Sequence, residues 1–111
     1  MTHANIDMTV FAELQEATGA EFVAELIGTF LEEAPTMLAE LRSAQAAGSA
    51  DGFRRAAHSL KSNSNTFGAN RLGEMARDLE LGGLISDTAP LAAIEAEYQV
   101  VATALTELTN G

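Results

Sequence analysis

The chain has no cysteine, few basic residues and no long hydrophobic run. Without cysteine there can be no disulfide bond, no thiolate nucleophile and no sulfur-ligated metal site. No apolar segment approaches the roughly 20 residues that a membrane-spanning helix needs. The N-terminal residues, MTHANIDM, contain no basic region followed by an apolar run, so no signal peptide is predicted. We therefore expect a cytoplasmic protein.

The shortage of basic residues limits the partners that the chain can bind. Six Lys and Arg residues stand against 16 Asp and Glu residues, which gives a net charge of −10 at pH 7. A surface of this charge repels nucleic acids and anionic membranes. We therefore expect neither nucleic acid nor membrane as a partner.

The few basic residues are concentrated in one segment of the chain. Five of the six lie between positions 51 and 82 together with only four acidic residues, so this segment carries +1 and the rest of the chain −11. An anionic group, or a partner with an acidic pocket, would be tolerated beside this segment and repelled elsewhere.

What the chain does contain is enough apolar residues for a core, arranged with helical periodicity. With 111 residues, of which 47% are hydrophobic, it is expected to form one domain spanning positions 1–111. Apolar residues recur at spacings of three and four, whereas patterns typical of strands are weak. We expect a monomer.

Five helices are predicted from this periodicity and from the residues that end each run. The first runs from near Asp7 to Ala17 and stops at Gly19, a residue type that often terminates helices. The second contains Pro35, which removes the hydrogen bond to the Leu31 carbonyl and predicts a kink, with two separate helices as the alternative. Its predicted core-facing stripe comprises Phe22, Leu26, Phe30, Ala34, Met37, Leu41 and Ala44.

The remaining three helices are predicted in the same way. The third is capped by Asp51 and ends at Gly68, and the fourth starts near Ala69 or Asn70 and ends at Gly82-Gly83. The fifth follows Thr88 and has the apolar pattern of a bundle seam. Four substantial helices with short loops predict an all-α fold, an antiparallel up-down four-helix bundle with an additional short N-terminal helix.

The third helix divides into two faces and displays a histidine on the polar one. At ~100° per residue, the polar line comprises Asp51, Arg54, Arg55, His58, Lys61, Ser62 and Asn65. The opposite face comprises Phe53, Ala56, Leu60 and Phe67. The second set should be buried and the first exposed. An exposed nucleophile, His58, one turn before a cation, Lys61, suits covalent phosphoryl chemistry.

The region around this histidine resembles the histidine-containing phosphotransfer (Hpt) domain family of two-component signalling. The family pattern is roughly H-x-L-K-G, a glycine ten residues after the histidine, and then a leucine and a terminal L-E. Matching positions are His58, Leu60, Lys61, Gly68, Leu72, Leu79 and Glu80. The run FLEEAPTMLAEL from Phe30 to Leu41 is also similar to the family, so the resemblance covers most of the chain. Ser62 departs from the pattern, because most members have glycine there.

The resemblance implies a function and a role for three residues. The chain would be a phosphocarrier that shuttles a phosphoryl group between receiver-domain aspartates, and not an enzyme in its own right. His58 would be the phosphoacceptor, Lys61 would neutralise phosphoryl charge, and Glu80 would hydrogen-bond the non-reacting imidazole nitrogen. The chain would need no cofactor, because the receiver supplies Mg²⁺ and the aspartate.

The expected partners are response-regulator receiver domains and a hybrid sensor histidine kinase. Residues predicted to dock them are Arg54, Arg55, Ser62, Asn65 and Arg77. Two alternatives stay open, a catalytically silent helical adaptor and the histidine substrate domain of a chemotaxis-type kinase. A metal site made of His58 and Glu80 is weaker, because no third ligand is evident. A kinase dimerisation helix is excluded, because that class usually has an acidic residue after its histidine and Ser59 follows here.

Overall fold

Five α-helices make up the part of the chain that the computed structural model describes, which is the backbone of residues 5–110 and the side chains of residues 5–109. They are α1 (Met8–Thr18), α2 (Ala20–Ala47), α3 (Ala50–Thr66), α4 (Asn70–Gly82) and α5 (Ala89–Asn110). No strand occurs among these residues, so the all-α prediction is confirmed. None of the described helices is both long enough and apolar enough to cross a bilayer.

Helices α2 to α5 enclose the core. Helix α3 packs against α2 and α4, α5 packs against the same two helices, and α1 lies against α2 and α3. The ring of Phe30 lies 5.4 Å from that of Phe67 and edge-on to that of Tyr98 at 6.0 Å. Other fully buried side chains are Val23, Ile27, Leu41, Phe53, Leu60, Leu72, Leu91, Ile94, Val101 and Leu105. Each such burial stabilises the fold by about 1.5–3 kcal/mol relative to exposure.

Helix α2 runs as one helix through Pro35, so the alternative of two separate helices is excluded, and the kink stays a prediction. The Leu31 carbonyl, which the proline leaves without its helical donor, accepts a weak hydrogen bond from the Tyr98 hydroxyl at 3.4 Å.

The core-facing stripe that was predicted for α2 is wrong at the start of the helix. Val23 is buried, whereas Phe22 is 47% exposed. The first turns of this helix contain two apolar stripes that are offset by one residue, and helical periodicity alone could not show which of them faces the core.

The start of α3 corrects a second prediction. Ser49, and not Asp51, caps the helix, because the Ser49 hydroxyl accepts the Gly52 amide hydrogen at 3.2 Å. Both residue types suit this position, and Ala50 extends the helix by a residue toward the serine. The Asp51 carboxylate instead lies 2.8 Å from the Arg54 guanidinium and 3.2 Å from that of Arg55.

The turn between α3 and α4 is fastened to the segment before α1. The Asp7 amide donates to the Gly68 carbonyl at 2.7 Å. Gly68 has a φ of +79°, and a Cβ atom there would lie 2.7 Å from the Asp7 carbonyl oxygen. The turn therefore needs glycine both for its backbone conformation and for its closeness to another segment.

Candidate functional site

His58 lies in the middle of α3 with its side chain 58% exposed. Its Nδ1 atom is 2.7 Å from Oε2 of Glu80, which belongs to α4. An ionised carboxylate can only accept a hydrogen bond. Nδ1 therefore carries the proton of the neutral ring, and the lone pair belongs to Nε2.

Lys61, one turn after His58, contacts the same carboxylate. Its Nζ atom lies 2.7 Å from Oε1 of Glu80. Oε1 is buried and makes no aligned hydrogen bond, so the contact is an ion pair. The ammonium of Lys61 and, second, the ring of His58 hold the pKa of the Glu80 carboxyl below its ordinary value, against the opposing effect of burial. Glu80 therefore stays ionised at neutral pH.

His58, Lys61 and Glu80 form a single group, here called the Glu80 network. The exposed fraction is 58% for His58, 26% for Lys61 and 14% for Glu80. The carboxylate is thus less exposed than the two α3 side chains, and it contacts both of them. The sequence predicted the contact between Glu80 and His58 through the family resemblance, but it gave no sign that Lys61 shares the carboxylate.

The predicted docking residues lie on α3 and α4, the two helices that carry this network. Arg54, Arg55, Ser62, Asn65 and Arg77 are all exposed. The two arginines of α3 are joined by their ion pairs to Asp51, so their charge is partly compensated. Asn65 lies over Gly73 of α4, where a Cβ atom would collide with the Asn65 amide. Gly73 therefore allows α3 and α4 to approach closely at this level.

A groove between α2 and α3 borders the histidine face and was not predicted from the sequence. It has a volume of about 510 Å³ and is lined mainly by small residues of both helices. Arg55 and Ser59, which neighbour His58 on α3, stand at one side, and Glu40 of α2 also lines it. Among the described residues, no three His, Cys, Asp or Glu side chains come close enough together to hold a metal ion.

The family model of the Hpt domain matches residues 25–109. The chain belongs to the Hpt domain family. The crystal structure of histidine-containing phosphotransfer protein B (HptB) from Pseudomonas aeruginosa PAO1 is similar to this Hpt chain with a TM-score of 0.88 and 27% sequence identity. The match covers 98% of this chain and 97% of that one. No curated protein matches the chain in sequence. The resemblance is thus confirmed, and the chain is a histidine phosphotransfer protein of a phosphorelay.

Proposed function

We propose that His58 is the phosphoacceptor and that the chain shuttles a phosphoryl group between receiver-domain aspartates. The observation that carries this proposal is the 2.7 Å contact between His58 Nδ1 and Glu80 on a ring that is 58% exposed. It directs the lone pair of Nε2 away from the carboxylate. The grouping of His58, Lys61 and Glu80 favours this role over that of a silent adaptor.

The chemistry needs few groups from this chain. Nε2 attacks the phosphorus of an aspartyl phosphate in line, the bond from phosphorus to the aspartate oxygen breaks, and its electron pair stays on the aspartate. Such a transfer depends on positioning and on charge neutralisation. The receiver supplies the aspartate and Mg²⁺, whereas this chain supplies the nucleophile and has no cofactor of its own. It is a phosphocarrier rather than a catalyst.

Lys61 is proposed to neutralise phosphoryl charge, and Lys61→Ala should slow phosphotransfer about tenfold. The variant removes the cation nearest the reacting ring, while the loss of a partly exposed ion pair should cost at most about 1 kcal/mol of stability. Single-turnover transfer from a phosphorylated receiver measures the rate, and Lys61→Arg, which keeps the charge, is the control. Transfer by Lys61→Ala at the wild-type rate would remove this role.

The proposed partners are receiver domains of response regulators and a hybrid sensor histidine kinase. The chain itself is proposed to be a cytoplasmic monomer that forms one domain over positions 1–111.

The contacts between helices support an antiparallel up-down bundle. His58 meets Glu80 and, further along α3, Asn65 meets a glycine earlier in α4. In the same way, Arg42 of α2 meets Glu95 of α5, whereas the earlier Leu31 meets the later Tyr98. Both helix pairs then run in opposite directions.

Arg54 and Arg55 are proposed to steer the acidic face of a receiver domain toward His58. Asp51 compensates part of their charge. The association rate can therefore be lowered by removing the arginine charges or raised by removing the Asp51 charge. Arg54→Gln/Arg55→Gln should lower the association rate about threefold at low salt, and Asp51→Asn should raise it. Both effects should shrink as salt rises. Stopped-flow association measures the rates.

The matched control for this test is Gln99→Glu/Thr103→Glu, which makes the same change in net charge on exposed positions of α5. Since α5 packs against α2 and α4 and not against α3, the control should change the rate less than the arginine variant. If the arginine variant and the α5 control lowered the association rate equally, net charge alone would explain the steering. No change in either direction would exclude steering by these arginines.

A further inference from the structure

We infer that Glu80 keeps a proton on Nδ1 of His58 while the phosphoryl group is attached to Nε2. The phosphorylated ring would then be an N-phosphoimidazolium held against a carboxylate. This inference rests on the proposed role of His58 and goes beyond orienting the ring, because it assigns Glu80 a part in the step that releases the phosphoryl group.

The geometry divides the two carboxylate oxygens between two partners, the His58 ring as hydrogen-bond donor and the Lys61 ammonium as ion-pair partner. Oε2 lies 2.7 Å from Nδ1 of His58, and Oε1 lies 2.7 Å from Nζ of Lys61. An ionised carboxylate accepts hydrogen bonds and cannot donate one. If Nδ1 lost its proton, its lone pair would face a negative oxygen at this distance, in a place where the Glu80 side chain is only 14% exposed. Retention of the proton avoids that repulsion.

The proton on Nδ1 determines how good a leaving group the imidazole ring is. When Nε2 forms its bond to phosphorus, the ring becomes positively charged because Nδ1 keeps its hydrogen. In the onward step the N–P bond breaks, its electron pair returns to Nε2, and a neutral imidazole departs while the receiver aspartate binds the phosphorus. Without the Nδ1 proton the departing group would be an imidazolate anion, which is far more basic and leaves more slowly. No proton need be exchanged with water in either direction.

The charges around the ring favour a carboxylate in contact with it. The charged side chains on the polar side of α3 are Asp51, Arg54, Arg55 and Lys61. Arg77 and Glu80 lie three positions apart on α4, and Glu40 of α2 lines the adjoining groove. The cations among them oppose a positive ring. Asp51 is paired with two arginines, and Glu40 lines the groove beside Arg55. Among the described residues, Glu80 is the carboxylate that contacts the ring.

An amide at this position would behave differently from the carboxylate. Glutamine has nearly the same shape as glutamate, but its side chain carries both an acceptor oxygen and a donor NH₂ group. After a rotation the NH₂ group can donate to a deprotonated Nδ1, so the proton is no longer needed. In Glu80→Gln, Nδ1 of phosphohistidine should therefore lose its proton at a lower pH than in the wild type.

The test uses the full chain with ¹⁵N-labelled histidine, phosphorylated by a phosphorylated receiver domain. The ¹⁵N chemical shift of Nδ1 and the rate of transfer to an unphosphorylated receiver are followed against pH. At pH 8 the wild type should keep its Nδ1 proton and transfer about tenfold faster than Glu80→Gln, and the two rates should converge at lower pH. Glu74→Gln, which removes an exposed carboxylate of the same helix, should behave like the wild type.

A phosphohistidine peptide with the sequence of residues 54–62 gives a reference that does not depend on the variant folding. The wild-type protein should keep its Nδ1 proton to a higher pH than the peptide. Titration of wild type, Glu80→Gln and peptide at the same pH would overturn the inference and leave the role of His58 intact. Absence of phosphate on His58 in the wild type would overturn the proposed function and the inference together.

Discussion

A His58→Gln variant is expected to acquire no acid-labile phosphate from a phosphorylated receiver domain, whereas the wild type becomes labelled. Glutamine removes Nε2, the nucleophile whose lone pair the contact with Glu80 directs outward. Because the His58 side chain is 58% exposed, its replacement should change the stability by less than about 1 kcal/mol. Labelling by phosphate transfer, followed by acid treatment, measures the effect.

The chain offers a matched control, because it contains two histidines. His3→Gln makes the same substitution outside the network and should leave labelling at the wild-type level. Circular dichroism should give the same helical content for both variants. Undiminished labelling of His58→Gln would show that another residue accepts the phosphoryl group.

Gly68→Ala should destabilise the protein by about 2–3 kcal/mol, the largest effect on stability that we expect from one added methyl group. A left-handed φ costs a residue with a Cβ atom roughly 1 kcal/mol or more. The added Cβ would also lie 2.7 Å from the Asp7 carbonyl oxygen, a backbone atom that cannot move aside as a side chain can. Urea unfolding measures the free energy.

The control for this variant is Gly28→Ala in α2. Gly28 has helical backbone, and a Cβ atom there would meet nothing within 4 Å. Alanine should therefore raise the free energy of unfolding by about 0.5–1 kcal/mol through helix propensity. A Gly68→Ala variant with a free energy of unfolding equal to or above that of the wild type would mean that the turn tolerates a side chain.

The features that local signals determine could be predicted from the sequence. The two faces of α3 follow from helical spacing, and the structure buries Phe53 and Leu60 while it exposes His58. Gly19 ends α1 as expected, because glycine favours the backbone conformation found there. The sequence did not distinguish between two residues that suit the same role about equally well. Examples are Ser49 and Asp51 as the cap of α3, and Phe22 and Val23 as the buried residue in the first turn of α2.

The rest of the site depends on contacts between helices, which spacing within one helix does not reveal. Lys61 and Glu80 lie 19 positions apart on α3 and α4, and their ion pair exists only because these helices pack at one register. The ion pairs of Asp51 with Arg54 and Arg55 could have been predicted from their i,i+3 and i,i+4 spacing. The prediction was missed because an aspartate at this position is also suited to cap the helix.

The register between α3 and α4 therefore determines which group of α4 contacts the histidine. Helix α3 displays His58, but the carboxylate in contact with its ring belongs to α4. Gly73 allows the Asn65 side chain to lie close against α4, about two turns from His58 along α3 and from Glu80 along α4. A shift of either helix along the other would leave the ring exposed and remove the carboxylate from Nδ1.

The central claim is that His58 carries the phosphoryl group, and peptide mapping of the phosphorylated wild-type protein tests it most directly. The protein is incubated with a phosphorylated receiver domain and Mg²⁺, digested at neutral or alkaline pH to preserve phosphohistidine, and sequenced by mass spectrometry. We predict a single added phosphoryl group on the peptide that contains His58, bound through Nε2. Phosphate on a serine or threonine instead, or no phosphate on any peptide with every receiver domain of the source organism, would contradict the account.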